Sequence, residues 1–208
     1  IENASHELQT PMAISLNKID LILENDDLDE QAQRNFEEIK LSLKRMKNLN
    51  KSLLMLSKIE NNQFEEKEEV SWNKVFNEVL GDFQDIIEFK RIDLKVEEED
   101  IFVSNSNKYL IEILISNLLR NAIKYNYKSG EIKVMITSKG FQIENSGKKI
   151  ALNSNYIFNR FYKAETDESS TGLGLSIVQT IVQQHENLKI VYDFVKDKHQ
   201  FKISSQNS

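Results

Sequence analysis

The sequence predicts an α+β fold: an antiparallel helical hairpin at the N-terminus, then a mixed or mostly antiparallel sheet carrying helices. Three observations lead there. Over the first 66 residues apolar side chains recur at steps of three and four. From Val70 onward, stretches with that period alternate with short stretches of period two. A polar run, Glu60 to Glu69, separates the two regimes and holds neither glycine nor proline, so it reads as a short and ordered linker.

The first helix is expected from Asn3 to Glu24, with Leu8, Met12, Leu16 and Ile19 on one face. The acidic stretch Glu24 to Glu30 breaks it, and Asp29 or Asp27 is placed to cap the next helix. This second helix runs from Glu30 to Ile59, and its thirty residues would span roughly 45 Å. Phe36, Ile39, Leu43, Met46, Leu49, Leu53 and Leu56 form its stripe, while Leu41, Leu54 and Met55 widen the apolar surface. One hairpin cannot bury two such faces, so two copies are expected to form a dimeric four-helix bundle. The competing reading packs the hairpin on the rest of its own chain. Further on, the pattern predicts a helix from Trp72 to Glu88, strands at Ile92–Val96 and Ile101–Val103, and an apolar helix from Lys108 to Tyr125 capped by Asn107 or Ser106. A hairpin comes next at Glu131–Glu144, turning at Ser138-Lys139-Gly140. Residues Ser146 to Thr171 hold few apolar positions and read as a lid or binding loop. A helix from Leu173 to His185 and a last strand pair around Lys196-Asp197-Lys198 complete the chain.

Composition excludes several functions. Among 208 residues there are 27 Lys and Arg against 33 Asp and Glu, a net charge of −6, which argues against a general nucleic-acid binder. No cysteine is present, so disulfides, thiolate metal sites and cysteine nucleophiles are ruled out. The three histidines, His6, His185 and His199, are too scattered for a zinc cluster. No apolar run approaches the ~18 residues that span a bilayer. The chain starts with Ile1, not Met, and is expected to be a soluble piece of a longer protein whose membrane or sensing part lies upstream.

Three groups of residues could carry chemistry. His6 sits in Ser5-His6-Glu7-Leu8-Gln9-Thr10-Pro11, off the apolar stripe; an exposed neutral imidazole is a competent nucleophile, and Glu7 could orient the ring or take its proton. The plainer reading is a surface histidine beside a surface glutamate. Pro11, the sole proline, either kinks the helix just after His6 or sits harmlessly in a first turn near Thr10. Gly172 and Gly174 bracket Leu173 at the start of an apolar helix, where free N–H groups favour phosphate. Asn117 and Asn121 lie four apart on one face of an otherwise apolar helix that ends in Lys124 and Tyr125; they could hold a metal–phosphate group or be core amides bonded to backbone. His185 ends a helix, where its charged form would meet the carbonyl end favourably, and His199 sits by a turn; both read as structural or solvated.

Taken together these pieces resemble the catalytic core of a bacterial two-component sensor histidine kinase. Residues 5–11 look like its phosphoacceptor box and Asn117-Leu118-Leu119-Arg120-Asn121-Ala122-Ile123-Lys124-Tyr125 like its N box. Ile157-Phe158-Asn159-Arg160-Phe161-Tyr162-Lys163 looks like its F box, and Thr171-Gly172-Leu173-Gly174-Leu175 like its second glycine box. The resemblance implies a dimerisation and phosphotransfer domain at 1–66 and an α/β sandwich that binds ATP at 67–208. His6 would accept the γ-phosphoryl group, Glu7 would polarise it, and Thr10 would align water for dephosphorylation of the partner. Asn121 would coordinate Mg²⁺, with Asn117 close by. Lys124, Tyr125, Arg160 and Lys163 would line the nucleotide site, and Gly172, Leu173 and Gly174 would give the nucleotide room. The implied partners are a second copy, through the N-terminal helices, and the receiver domain of a response regulator. The implied setting is the cytoplasmic side of an inner-membrane sensor.

Two departures stand out. The first glycine box of the family reads Asp-x-Gly-x-Gly, and here the stretch is Asn145-Ser146-Gly147-Lys148-Lys149. Asn145 offers the adenine amino group a neutral acceptor where a carboxylate would be stronger. Lys149 replaces the second glycine, and Ser170 stands where the second box often has another. Besides an autokinase that phosphorylates a regulator, with or without phosphatase activity, two alternatives stay open: a degenerate kinase acting mainly as a phosphatase, and a non-catalytic dimeric scaffold.

Overall fold

The structure, a computed structural model, describes residues 2–25, 28–163 and 170–206, with side chains from Glu7 onward. Asp27, one of the two candidate caps, lies outside the described residues. Helix α1 (Glu2–Leu23) and helix α2 (Glu30–Glu60) form the hairpin. The Asp29 carboxylate accepts the Ala32 N–H at 2.7 Å and so caps α2. Met12, Leu16 and Ile19 are buried against α2, and an ion pair between Lys40 and Asp20 at 2.5 Å ties the two helices. Pro11 lies inside α1 and on its exposed side, so the helix runs through the proline and forgoes its bond to the Glu7 carbonyl.

The apolar stripe of the hairpin is only half covered. Leu8, predicted on the buried face, is exposed, and so are Ile39, Leu41 and Met46. Towards the other end of α2 the situation reverses. Leu56 and Ile59 join the same contiguous core as Trp72, Phe76 and Leu114, so the last turns of α2 pack on the chain's own sheet domain. The competing reading, packing on the same chain, thus holds for the last turns of α2, while the rest of the stripe is left uncovered within the chain.

The second region is a two-layer sandwich. Strand β1 (Glu68–Ser71) pairs antiparallel with β3 (Val103–Ser106) as a small ribbon. Between them lie α3 (Trp72–Gly81), α4 (Gln84–Lys90) and β2 (Asp93–Glu98). After β3 come helix α5 (Lys108–Lys124), the hairpin β4 (Glu131–Thr137) and β5 (Gly140–Ser146), helix α6 (Gly174–Gln183), and the closing pair β6 (Leu188–Val195) and β7 (Lys198–Ser205). The main sheet has the order β2-β4-β5-β7-β6, with β2 and β4 parallel and every other pair antiparallel. Alternate residues of one face (Ile132, Val134, Ile136, Phe141, Ile143, Phe201, Ile203) are buried beneath the helices. The Asn107 side chain caps α5 through the Leu110 N–H at 3.3 Å. The β6–β7 turn puts Lys196 and Asp197 at φ 50° and 63°, the two left-handed residues of a tight hairpin.

Four expectations need correction. The predicted helix Trp72–Glu88 is two, because the chain turns at Gly81-Asp82-Phe83 through bonds from Asp82 N–H to Val79 and from Phe83 N–H to Leu80. The linker loses Glu60 to α2 and Glu68 and Glu69 to β1, whose side chains point to solvent while the backbone pairs with β3. The strand expected at Ile101–Val103 begins at Val103, with Ile101 exposed and Phe102 buried ahead of it. His185 is not a charged cap: it is buried, donates from Nδ1 to the Ile181 carbonyl at 2.9 Å and accepts from Ser106 Oγ at Nε2 at 2.7 Å. Burial holds its pKa below the ordinary value of 6.5. Among the described residues, no helix is long and apolar enough to cross a membrane.

Candidate functional site

The helix start at Gly174 and the two asparagines of α5 meet. Asn117 donates from Nδ2 to the Ile113 carbonyl at 2.8 Å, which turns its Oδ1 towards α6. A Cβ on Gly174 would stand 3.1 Å from that oxygen, a tight contact that glycine avoids. Asn121, half-buried, lies one turn further along the same face. Among the described residues no side chain caps the N-terminus of α6, and its first-turn N–H groups suit an acceptor from outside. Leu173 is fully buried and can offer a ligand only its backbone. Lys124 closes the helix with its ammonium 5.5 Å from the ring centroid of Tyr125, which is exposed.

The strand end at Asn145 forms another wall. Asn145 is buried on the helix-facing side of β5 and donates from Nδ2 to the Ser146 carbonyl at 2.7 Å. Gly147 passes between the Tyr125 carbonyl and the His199 ring: a Cβ there would meet them at 3.0 and 2.9 Å. The end of α5 thus packs against the segment that leaves β5. Lys149, in place of a second glycine, pairs with Asp197 at 3.0 Å, which raises the lysine pKa.

The segment between the strands and α6 is pinned at its base. Phe161 adopts φ 64° and donates its N–H to the Gly172 carbonyl at 2.9 Å. Gly172 has φ 70°, and its missing Cβ makes way for the Phe161 backbone, which a side-chain carbon would meet at 2.8 Å. The room at Gly172 therefore serves the loop's own closure. Arg160 pairs with Glu60 at the end of α2, so the guanidinium links this segment to the helical hairpin. Lys163 is half-buried next to residues 164–169, which lie outside the described residues.

His6, Glu7 and Thr10 stand on consecutive turns of α1, with Glu7 and Thr10 exposed. The His6 side chain lies outside the described residues. The structure thus packs α5 against the start of α6 at Asn117 and Gly174 and against the end of β5 at Tyr125 and Gly147, and holds the His6 box on a separate element.

Residues 1–62 match the family described as His Kinase A (phospho-acceptor) domain, and residues 107–205 match the Histidine kinase-, DNA gyrase B-, and HSP90-like ATPase family. The chain belongs to the sensor histidine kinase family. Its sheet domain is the ATP-binding domain of such a kinase, preceded by the family's helical region. The kinase chain is 31% identical over 207 residues to the heme sensor protein HssS of Staphylococcus epidermidis, covering 97% of this chain and 45% of that protein. It is 29% identical over 194 residues to HssS of Staphylococcus aureus, covering 89% and 41%. The chain therefore spans less than half the length of these relatives. Among solved structures, histidine kinase AdeS of Acinetobacter baumannii superposes with a TM-score of 0.65 at 26% identity, covering 98% of both chains. The catalytic domain of histidine kinase ThkA superposes at 0.59 and 27% identity, covering 67% of this chain and 95% of that one.

Three side chains that hold the segments following β5 escape a motif-based reading of this kinase. Glu60 is hidden in an acidic linker. Tyr192 and His199 sit on strands beside a turn. Period-two alternation could have found His199, because it shares a face with Phe201 and Ile203.

Proposed function

We propose that this kinase core phosphorylates itself on His6 with ATP and passes the phosphoryl group to an aspartate on the receiver domain of a response regulator. The reading is carried by helix α5 meeting the start of α6 at Asn117 and Gly174, and the segment that leaves β5 at Tyr125 and Gly147, which we take as the walls of one crevice ending at Asn145; among the described residues no side chain caps that helix start. Such a start suits phosphate, and a buried amide beyond it suits a purine edge. Among the described residues no three His, Asp or Glu side chains gather into a metal cluster. A cation here would accordingly rest on the Asn121 amide, with Asn117 near, and on the nucleotide's own oxygens. Bound Mg²⁺ would neutralise the phosphate charge there.

Each group of residues has its own share of the work. The α6 N–H groups, Lys124 and Lys163 orient the triphosphate, while Asn145 accepts from the adenine amino group. Arg160 joins them once it leaves Glu60. A neutral ring nitrogen of His6 attacks the γ-phosphorus as the bond to the ADP oxygen breaks, and Glu7 polarises the ring and receives its proton. Thr10 aligns water when the phosphorylated regulator is hydrolysed. Functionally the chain divides at 1–66 and 67–208, with 61–67 as the hinge between carrier and nucleotide domain. The uncovered stripe of α1 and α2 pairs with a second copy as a four-helix bundle. The whole protein is a membrane sensor with this part on the cytoplasmic side.

Labelled Mg-ATP tests the reading. Acid-labile label is expected on the wild-type chain, absent in His6→Gln, and absent in Asn121→Ala, whose circular dichroism stays that of wild type. A His6→Gln chain that still labels, or an Asn121→Ala chain that binds Mg-ATP as tightly as wild type, overturns it.

A further inference from the structure

We infer that His199 and Tyr192 are positioning residues for nucleotide binding: together they hold the strap 148–152 on the sheet and so set the base end of the crevice beside Asn145. The inference rests on the reading of that crevice as the nucleotide site. Neither residue lies in the phosphoacceptor, N, F or glycine boxes.

The geometry is a closed relay. Asn145 and His199 are direct cross-strand partners between β5 and β7. Just past Asn145 the chain leaves the sheet, and Gly147 lies against the His199 ring. The Lys148 carbonyl then accepts from His199 Nε2 at 2.9 Å. Four residues on, the Leu152 N–H donates to the Tyr192 hydroxyl at 3.0 Å. That hydroxyl stands 2.9 Å from His199 Nδ1. The bonding pattern has one polarity. Tyr192 takes a hydrogen from Leu152 and gives its own to Nδ1; Nδ1 is then an acceptor, and the ring proton must sit on Nε2, where Lys148 receives it. Burial pushes the Tyr192 pKa up, so the hydroxyl keeps the proton that the relay requires. Both rings are buried, which shields the bonds from water.

The strap's sequence fits this role. Where the family has a second glycine this chain has Lys149, and the ion pair with Asp197 adds a third, exposed tie to the β6–β7 turn. An exposed pair of this kind contributes little, so the two buried ties carry the restraint. A strap already fixed loses less freedom when a base seats against it. The phosphate end is built from Asn121 and the start of α6, none of which takes part in the relay's bonds, and is expected to sense their loss less.

The test uses the 208-residue chain and three Mg²⁺-loaded probes: ATP, GTP and inorganic triphosphate, which has no base. In Tyr192→Phe and His199→Ala, binding of ATP is expected to weaken by about three- to tenfold, the loss of one or two buried hydrogen bonds. Triphosphate affinity stays within about twofold, and the preference for ATP over GTP narrows. The loss falls on KM for ATP, with kcat at saturation little changed. His199→Gln, whose amide offers both a donor and an acceptor, restores most of the affinity. A lower melting temperature with ATP, GTP and triphosphate binding all unchanged, or all weakened equally, overturns the inference and leaves a structural role only. Should the variants not fold, hydrogen exchange on the wild-type chain decides: a protected Leu152 amide is expected without nucleotide, and a freely exchanging one contradicts the relay. Wild-type chain that binds triphosphate but shows no preference among bases sinks this inference alone. Wild-type chain that binds none of the three sinks the underlying reading with it.

Discussion

The helical hairpin and the sheet domain carry apolar stripes of similar density and treat them differently. On the sheet, Ile132, Val134 and Ile136 are wholly buried, each on alternate positions beneath α5 and its neighbours. On the hairpin, Leu8 is 54% exposed, Leu41 67% and Met46 54%. Burying a side chain of that size is worth roughly 1.5–3 kcal/mol, so several such residues in water are a standing incentive to associate. A periodic stripe therefore states that a face will be covered. It does not state by which chain. The last turns of α2 show the point within one element, since Leu56 and Ile59 are covered by the same chain that leaves Ile39 and Met46 bare.

The largest expected effect lies on the sheet side. Leu119→Ala empties a fully buried position on α5 and should cost about 2–5 kcal/mol, read from urea unfolding monitored by tryptophan fluorescence, since Trp72 lies in the same core. A loss under about 1 kcal/mol would mean that the helix layer is loosely packed. On the hairpin side the contrast should invert. Ile39→Asp is expected to convert a dimer to a monomer in sedimentation velocity, while the melting of the sheet domain stays put. A wild-type chain that sediments as a monomer at every concentration would show the exposed stripe to have no second copy. Next comes the cap: Asp29→Ala removes the bond to the Ala32 N–H and should cost about 1 kcal/mol, confined to the helical signal in circular dichroism.

The smallest effect is a pH slope. Burial lowers the pKa of His185 from 6.5, so the folded chain refuses a proton that the unfolded chain accepts. The stabilisation from this site is complete above pH 6.5 and falls as pH drops from there towards the lowered value. His185→Gln should flatten that part of the stability profile. A variant with the slope of wild type would place the titration elsewhere.

Much of the fold was legible because its signals are local. The Asp29 and Asn107 caps, the Lys196-Asp197 turn and the period of α5 are each written in a few adjacent residues. Strand β1 was not legible, since Glu68 and Glu69 give no alternation and the strand exists only because β3 pairs with it. The break between α3 and α4 hid behind a continuous apolar period. The motifs singled out residues at these helix and strand ends, yet not what each packs against. Glycine at 174 relieves a close approach of the Asn117 amide, 57 positions earlier in the chain, and at 172 it is required by the Phe161 backbone. Contacts of that range leave no trace in a local pattern. The same holds for His185 and His199, whose partners Ser106 and Lys148 lie on other elements.

Mapping the phosphate after incubation with millimolar Mg-ATP tests the central claim most directly. Peptide mass analysis under neutral conditions should find one phosphoryl group, on the imidazole at position 6. A group found instead on a hydroxyl residue, or none on a chain whose nucleotide binding is saturated, would contradict the account.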